Sequence, residues 1–275
     1  MKRRSLLAVG GGTILAGLAP ALPAAALPAV DMEMVLLAAQ VDPPKTGTGV
    51  TTGAGAHVLE VERALNAKGL LAASAVDGHF GTSTIAAYAA WQRSLGYSGA
   101  DANGRPGATS LARLGEGRFT VTRTVSAGSP TSTYGGKQVN TRTRDMLAAA
   151  DATLGWSLTL DQGSYSTSDP TSAGTHDGGG AADLAVGGLT TTQRWETVRA
   201  LRTVGFAAWL RTPSQGSWPY HIHAVAVLDP DLSTPAADQV HDYYVGRNGL
   251  ANHAADDTPA AYRTAFTWWE RHNRG

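Results

Sequence analysis

Apolar residues change their spacing several times along the chain, and each change marks an element. Val58, Val61 and Leu65 recur at helical spacing, and Gly69 follows where such a helix would close. Ile85, Tyr88 and Leu95 share one face of a second helix, which Thr82 or Ser83 can cap and Gly96 stops. Leu111 and Leu114 mark a short third helix beginning at Thr109. Between them lie two turn clusters, Asp77-Gly78-His79-Phe80-Gly81 and Asp101 to Gly107. This pattern predicts a small all-α three-helix domain over residues 57–115, large enough to fold alone.

From residue 116 to 275 helical and alternating patterns are mixed. Phe119, Val121 and Val125 point to an early strand. A helix starting at Asn140 or Thr141 carries Met146, Leu147, Ala150 and Leu154. Trp156, Leu158 and Leu160 then alternate with Ser157 and Thr159, the period of a half-buried strand. A helix over 192–204 turns Trp195, Val198 and Leu201 inward, and 206–210 reads as a strand. From Tyr220 to Leu228 the chain alternates again, with His221, His223, Val225 and Val227 on one face and Ile222, Ala224 and Ala226 on the other. Helices are expected at 236–245 and 259–271. The order predicts an α+β domain with an antiparallel sheet.

The first 26 residues read as a signal peptide, with a basic start at Lys2, Arg3 and Arg4, an apolar run from Leu6 to Leu22, and a small-x-small site at Ala24 and Ala26. Arg3-Arg4 before Ser5-Leu6-Leu7 resembles a twin-arginine signal, with an ordinary Sec signal as the alternative. The run is short and broken by glycine, so no stable membrane anchor is expected, and the protein is read as secreted to the cell wall. Residues 27–56 mix Pro, Gly and Thr with a short apolar patch and read as a linker. Formal net charge is zero, which gives no reason to expect a nucleic-acid partner. The chain has no cysteine, so any metal must be held by histidine and carboxylate.

The candidate chemistry lies in Ser172 to Asp183, SAGTHDGGGAAD, and in His221-Ile222-His223. Two histidines and one carboxylate are a minimal set for a catalytic zinc and leave the fourth tetrahedral position for water. On a strand His221 and His223 point to one side, close enough to serve one metal or to divide ligand and proton-transfer roles. Taken alone, a His-x-His pair on a sheet face is more often structural. Its conjunction with His176, Gly179, Ala181 and Asp183 resembles the zinc peptidase group of D-alanyl-D-alanine carboxypeptidases, murein endopeptidases and the hedgehog signalling domain. That resemblance implies zinc ligands His176, Asp183 and His223, with His221 in the place of a non-ligand catalytic histidine.

The front unit likewise resembles the peptidoglycan-binding domain of bacterial wall hydrolases, carried by Val61, Leu65, Gly69, the DGHFG turn, Thr84, the AAYAAWQ stretch, Gly96, Asp101, Gly104, Gly107 and Thr109. This implies that Asp77, Gly78 and Phe80 build the fold. Trp91 and Tyr97 are candidates for stacking on glycan, with core packing the alternative for Trp91.

Together the resemblances imply a secreted, zinc-dependent peptidoglycan peptidase with a wall-binding module. Two departures bear on the reaction. Ser214 to Tyr220 contains no glutamate where many relatives keep a general base. Asp161 to Tyr165 lacks the arginine with which carboxypeptidase members hold a terminal carboxylate, which favours an endopeptidase. Gln162 and Tyr165 are candidates for binding peptide. A non-catalytic peptidoglycan-binding protein with a degenerate peptidase fold is the alternative.

Overall fold

In the computed structural model, residues 26–42, 51–167 and 172–275 are described. The predicted signal peptide therefore lies outside the described residues except for Ala26. The fold is mixed α/β. Its centre is a four-stranded antiparallel sheet of β5 (Leu160–Gln162), β6 (Ala181–Ala185), β7 (Phe206–Arg211) and β8 (His221–Ala226), in the order β5-β6-β8-β7. No helix among the described residues is long and apolar enough to cross a membrane.

Alternation along these strands gives the sheet two different faces. Ala182, Leu184, Ala208, Leu210, Ile222, Ala224 and Ala226 form one core with α5 (Thr141–Asp151) and α6 (Thr191–Thr203), through Met146, Leu147, Val198 and Leu201. Both helices begin at capped ends. Asn140 Oδ1 accepts the Thr143 N–H at 2.8 Å, and Thr190 forms a capping box with Gln193. The opposite face places Ala207, Trp209, Val225 and Val227 in a second core. Asp183 and His223 also belong to this face by register, so the chemistry sits on the side away from α5 and α6.

Three helices form as the periodicity predicts: α2 (Gly55–Ala67), α3 (Thr82–Ser94) and α4 (Ala108–Gly115). Buried Glu62 organises the turn between α2 and α3. Its carboxylate accepts the Gly78 and Asp77 N–H groups at 2.8 and 2.9 Å and the Thr84 hydroxyl at 2.9 Å. Phe80 and Tyr88 fill the space beside it. Trp91 is core, with its indole N–H on the Ser110 carbonyl at 2.9 Å, so it offers no open face for glycan.

The expected linker over 27–56 is corrected in part. Ala29–Asp31 forms β1, which pairs in parallel with β2 (Thr120–Thr122), and Met32–Val41 forms α1. Val30, Met32, Val35, Leu36 and Ala38 are fully buried. The helix packs on α7 (Thr234–Tyr244) and α2, and one continuous apolar core joins α1, the three front helices, α7 and the second face of the sheet. Nine of its ten residues are buried, which is why it shows no clear amphipathic stripe in sequence. Residues 43–50 lie outside the described residues.

Two further expectations change. Trp156 to Thr159 is not strand; pairing starts at Leu160. The helix expected at 259–271 is instead a short 3₁₀ turn, Ala260–Tyr262, an extended run, and α8 (Trp269–Arg274). The aromatic residues of this run each pack on a different neighbour, which draws the chain out: Tyr262 on Trp195, Phe266 on Tyr243 and Tyr244, and Trp268 by its indole N–H on Glu33. The small hairpin of β3 (Ser132–Tyr134) and β4 (Lys137–Val139) was not expected.

Candidate metal centre

Asp183 and His223 are direct register partners on β6 and β8, which brings Asp183 Oδ1 to 2.7 Å from His223 Nδ1. His176 arrives from a turn rather than a strand. The Ser166 N–H donates to the His176 carbonyl and the Tyr165 N–H to the Gly178 carbonyl, both at 2.9 Å, while the Gly179 N–H donates to the Asp231 carbonyl at 2.8 Å. The glycine run is what lets this turn lie so close. A Cβ at Gly178 would stand 2.2 Å from the Asp231 carbonyl oxygen, and one at Gly179 would stand 2.7 Å from the Tyr165 hydroxyl. His176 Nε2 thereby reaches 3.4 Å from Asp183 Oδ2, and the two imidazole rings meet edge to face at 5.2 Å between centroids.

The three groups can hold a metal ion: one ligand atom from each of His176, Asp183 and His223 lies within 4.8 Å of the others. The hydrogen bonds behind the rings decide which nitrogens face inward. His176 Nδ1 is 2.8 Å from the Gly163 carbonyl, which can only accept, so Nδ1 carries the proton. His223 Nε2 is 2.8 Å from Gln239 Oε1, and the Gln239 amide is oriented by donation from its Nε2 to the Gly249 carbonyl at 2.9 Å. His223 Nε2 therefore donates. In the neutral rings, His176 Nε2 and His223 Nδ1 both turn lone pairs toward a carboxylate. Three converging acceptors need a cation between them, and rings locked by an outer hydrogen bond are the usual arrangement at metal sites.

Protonating both rings is the other way to satisfy the carboxylate. Burial opposes it at His223, where it outweighs the pull of Asp183 and leaves the ring's pKa lowered. At Asp183 burial is again the largest single effect and pushes upward, and positive charge or donated protons on the His223 and His176 side are what bring the carboxyl well below the usual range; with both rings neutral, a cation between the three groups takes that part. The donor set, two imidazole nitrogens and a carboxylate without sulfur, suits zinc among several divalent ions.

The site opens into a cleft of about 610 Å³. His221 lines it but stands outside the ligand cluster. Its Nδ1 donates to the Pro219 carbonyl at 3.0 Å, which leaves Nε2 as the acceptor, and the Trp218 ring meets it edge-on at 5.9 Å. Gln162 also lines the cleft. Tyr165 does not: its hydroxyl donates to Asp231 Oδ2 at 2.8 Å, and its ring borders a separate cavity of about 400 Å³ beside the front helices. Tyr165 is thus a packing residue of the glycine turn, and its expected part in peptide binding is corrected. Asp177 is exposed.

Sequence reasoning gave no role to three residues here. Asp161 and Arg211 line the cleft, and Gln239 orients His223. For Arg211 a signal existed, since an arginine closing the apolar run Phe206 to Leu210 places a charge at a sheet end. For Gln239 none did. No family model matches this chain, and comparison with curated proteins and with solved structures found no match.

Proposed function

We propose that this protein is a zinc-dependent peptidoglycan peptidase, similar to the D-alanyl-D-alanine carboxypeptidase, murein endopeptidase and hedgehog group, exported and directed to the wall by its front helices. The observation that carries the reading is the convergence of His176 Nε2, Asp183 and His223 Nδ1 in an open cleft that His221 also lines. Bound there, zinc would acidify a water and polarise an amide carbonyl. His221 Nε2 accepts a proton on the cleft side and returns it to the leaving amine. Asp161 is the one carboxylate outside the ligand cluster among the described residues lining the cleft. Gln162 contributes neutral hydrogen bonds to the peptide. The front helices raise the local substrate concentration by tethering and take no part in the chemistry.

The test is digestion of purified peptidoglycan by the mature chain with and without a chelator, followed by mass spectrometry of the released peptides. New peptide ends that disappear with chelator support the reading and identify the bond. A second reading, a wall-binding protein without activity, is favoured by the lack of any glutamate among the described residues lining the cleft. Intact cross-links with the protein still sedimenting with the wall would establish it.

A further inference from the structure

Between α3 and α7 lies a cavity of about 580 Å³ that shares no lining residue with the cleft. Thr82 and Ile85 line it from α3, Asp238 and His241 from α7, and Arg105 from the turn before α4. The chain fixes Arg105 in this place. The Gly104 N–H donates to Gln92 Oε1 at 2.7 Å, and the Gln92 amide donates to the Arg105 carbonyl at 2.8 Å. Gly104 has a φ of +80°, and a Cβ there would stand 2.4 Å from the Ile85 carbonyl oxygen. Only glycine lets this turn lie against α3.

The cavity wall carries one unmatched charge of each sign. Arg105 is 3 % exposed; its Nη1 donates to the Thr234 hydroxyl at 3.3 Å, and its buried Nε has no partner. Asp238 and Arg105 attract each other, but only at a distance, beyond the 4.0 Å of an ion pair. Burial, the largest effect, lowers the Arg105 pKa to about 10 while Asp238 pulls it back, so the guanidinium is charged at neutral pH. The next charges along are already matched: Asp242 is held by His253 Nδ1 at 2.8 and 3.1 Å, with Arg247 at 3.8 Å. His241 adds an acceptor. Its Nδ1 donates to the Val41 carbonyl at 2.7 Å, which leaves a lone pair on Nε2 of the neutral ring. Arg211 also has an idle nitrogen, but the carboxylate acting on it most, Asp183, is taken up by His176 and His223. The pairing of an unmatched cation with an unmatched anion belongs to this cavity.

A cation and an anion that face one cavity without meeting are each incompletely satisfied. A ligand carrying both charges in the opposite order satisfies them together. We propose that this cavity binds a small zwitterion, a free amino acid or dipeptide whose ammonium and carboxylate are both unblocked. The carboxylate accepts from Arg105 and from the Thr234 hydroxyl, and the ammonium donates to Asp238 and to His241 Nε2. The site is distinct from the metal centre and does not depend on the peptidase reading. Its occupant joins α3 and the turn before α4 to α7, the helix whose Gln239, next to Asp238, holds His223.

The experiment is titration calorimetry on the metal-free full chain at neutral pH, which removes chelation of zinc by the probes. The probes are alanine and alanylalanine of either hand, each beside its N-acetyl and C-terminal carboxamide forms. Wild type is expected to bind at least one free form about tenfold more tightly than either of its blocked forms. Asp238→Asn should bind the free and N-acetyl forms alike, and Arg105→Met should bind the free and carboxamide forms alike. Arg211→Met, in the catalytic cleft, should keep the wild-type preference. Absence of binding by the wild type, or equal binding of free and blocked forms, overturns the inference without requiring any variant to fold. A preference that survives Asp238→Asn also overturns it. So does a preference abolished by Arg211→Met, which would place the zwitterion in the cleft instead.

Discussion

Gln239 and His223 are joined by a hydrogen bond of 2.8 Å, and through it α7 sets which nitrogen of the His223 ring faces Asp183. A residue outside the ligand cluster thus determines the tautomer within it. Gln239→Leu removes the acceptor and frees the ring to present either nitrogen. Zinc affinity should fall roughly 10–100-fold while the fold persists, measured by competition with a chromogenic chelator. Unchanged affinity would mean that the Asp183 contact alone orients the ring.

His176 and His221 should separate metal binding from catalysis. On the proposed reading, His176→Ala removes a ligand whose ring is buried and held by the Gly163 carbonyl, so zinc and activity should be lost together. His221→Ala should retain its zinc, since His221 lies outside the cluster, and lose roughly 10²–10⁴-fold in kcat as the proton carrier disappears. Metal content by mass spectrometry, read beside the rate, checks both. Loss of zinc from the His221 variant would make it a ligand.

Much of this site was legible because its parts are local. Strand alternation placed His221 and His223 on one face, and His176 and Asp183 lie close in sequence on either side of a glycine run. Helices α2 to α6 follow the periodicity to within a few residues because each keeps one apolar face. What sequence did not show depends on partners far along the chain. Arg211, Gln239 and Asp161 reach the cleft only through sheet order and the seat of α7. His241 is buried with Nδ1 on the Val41 carbonyl at 2.7 Å, a pairing across 200 residues. The stretch 29–41 read as linker because Pro, Gly and Thr surround its short apolar patch, and its helix, buried on nearly every side, shows no stripe to mark it.

Asp231 gives a pH-dependent test of the glycine turn. Burial, then the nearby Asp229 charge, raises its pKa from 3.8 to about 6. The folded protein thus holds this proton more tightly than the unfolded chain, and the stability so gained is lost as pH rises from about 4 through 6. Asp231→Asn keeps an acceptor for the Tyr165 hydroxyl and removes the charge. The variant should match wild type near pH 4 and exceed it above pH 6, by on the order of 1 kcal/mol once partial exposure is discounted. Urea melts across this range would show it; a variant less stable at pH 8 would mean that the carboxylate is needed in its charged form.

Strand β1 and helix α1 should be part of the folded unit rather than a tether. Glu33 at the start of α1 is buried, accepts the Trp268 indole N–H at 2.5 Å, and pairs with both Nη atoms of Arg274 at 2.6 and 2.7 Å. At the other end Gln40 accepts the Leu228 N–H at 2.9 Å and donates to the Asp229 carbonyl at 3.1 Å, next to the turn that supports His176. Removing residues 27–50 would strip the cover from α7 and α2 and take the fully buried Val30, Met32, Val35 and Leu36 out of the core, each such side chain being worth about 1.5–3 kcal/mol of burial. A chain beginning at residue 51 should therefore lose cooperative unfolding and bind a hydrophobic dye. Glu33→Gln is the milder test. Burial is the largest effect on Glu33 and raises its pKa, but the bonds from Arg274 and Trp268 outweigh it and hold the group below its ordinary 4.5. Its contribution is therefore present above pH 4.5 and lost as pH falls through the lowered value. The variant should cost about 1–3 kcal/mol at pH 7 and progressively less in acid. A truncated chain that melts as cooperatively as the full one would return this segment to the role of a linker.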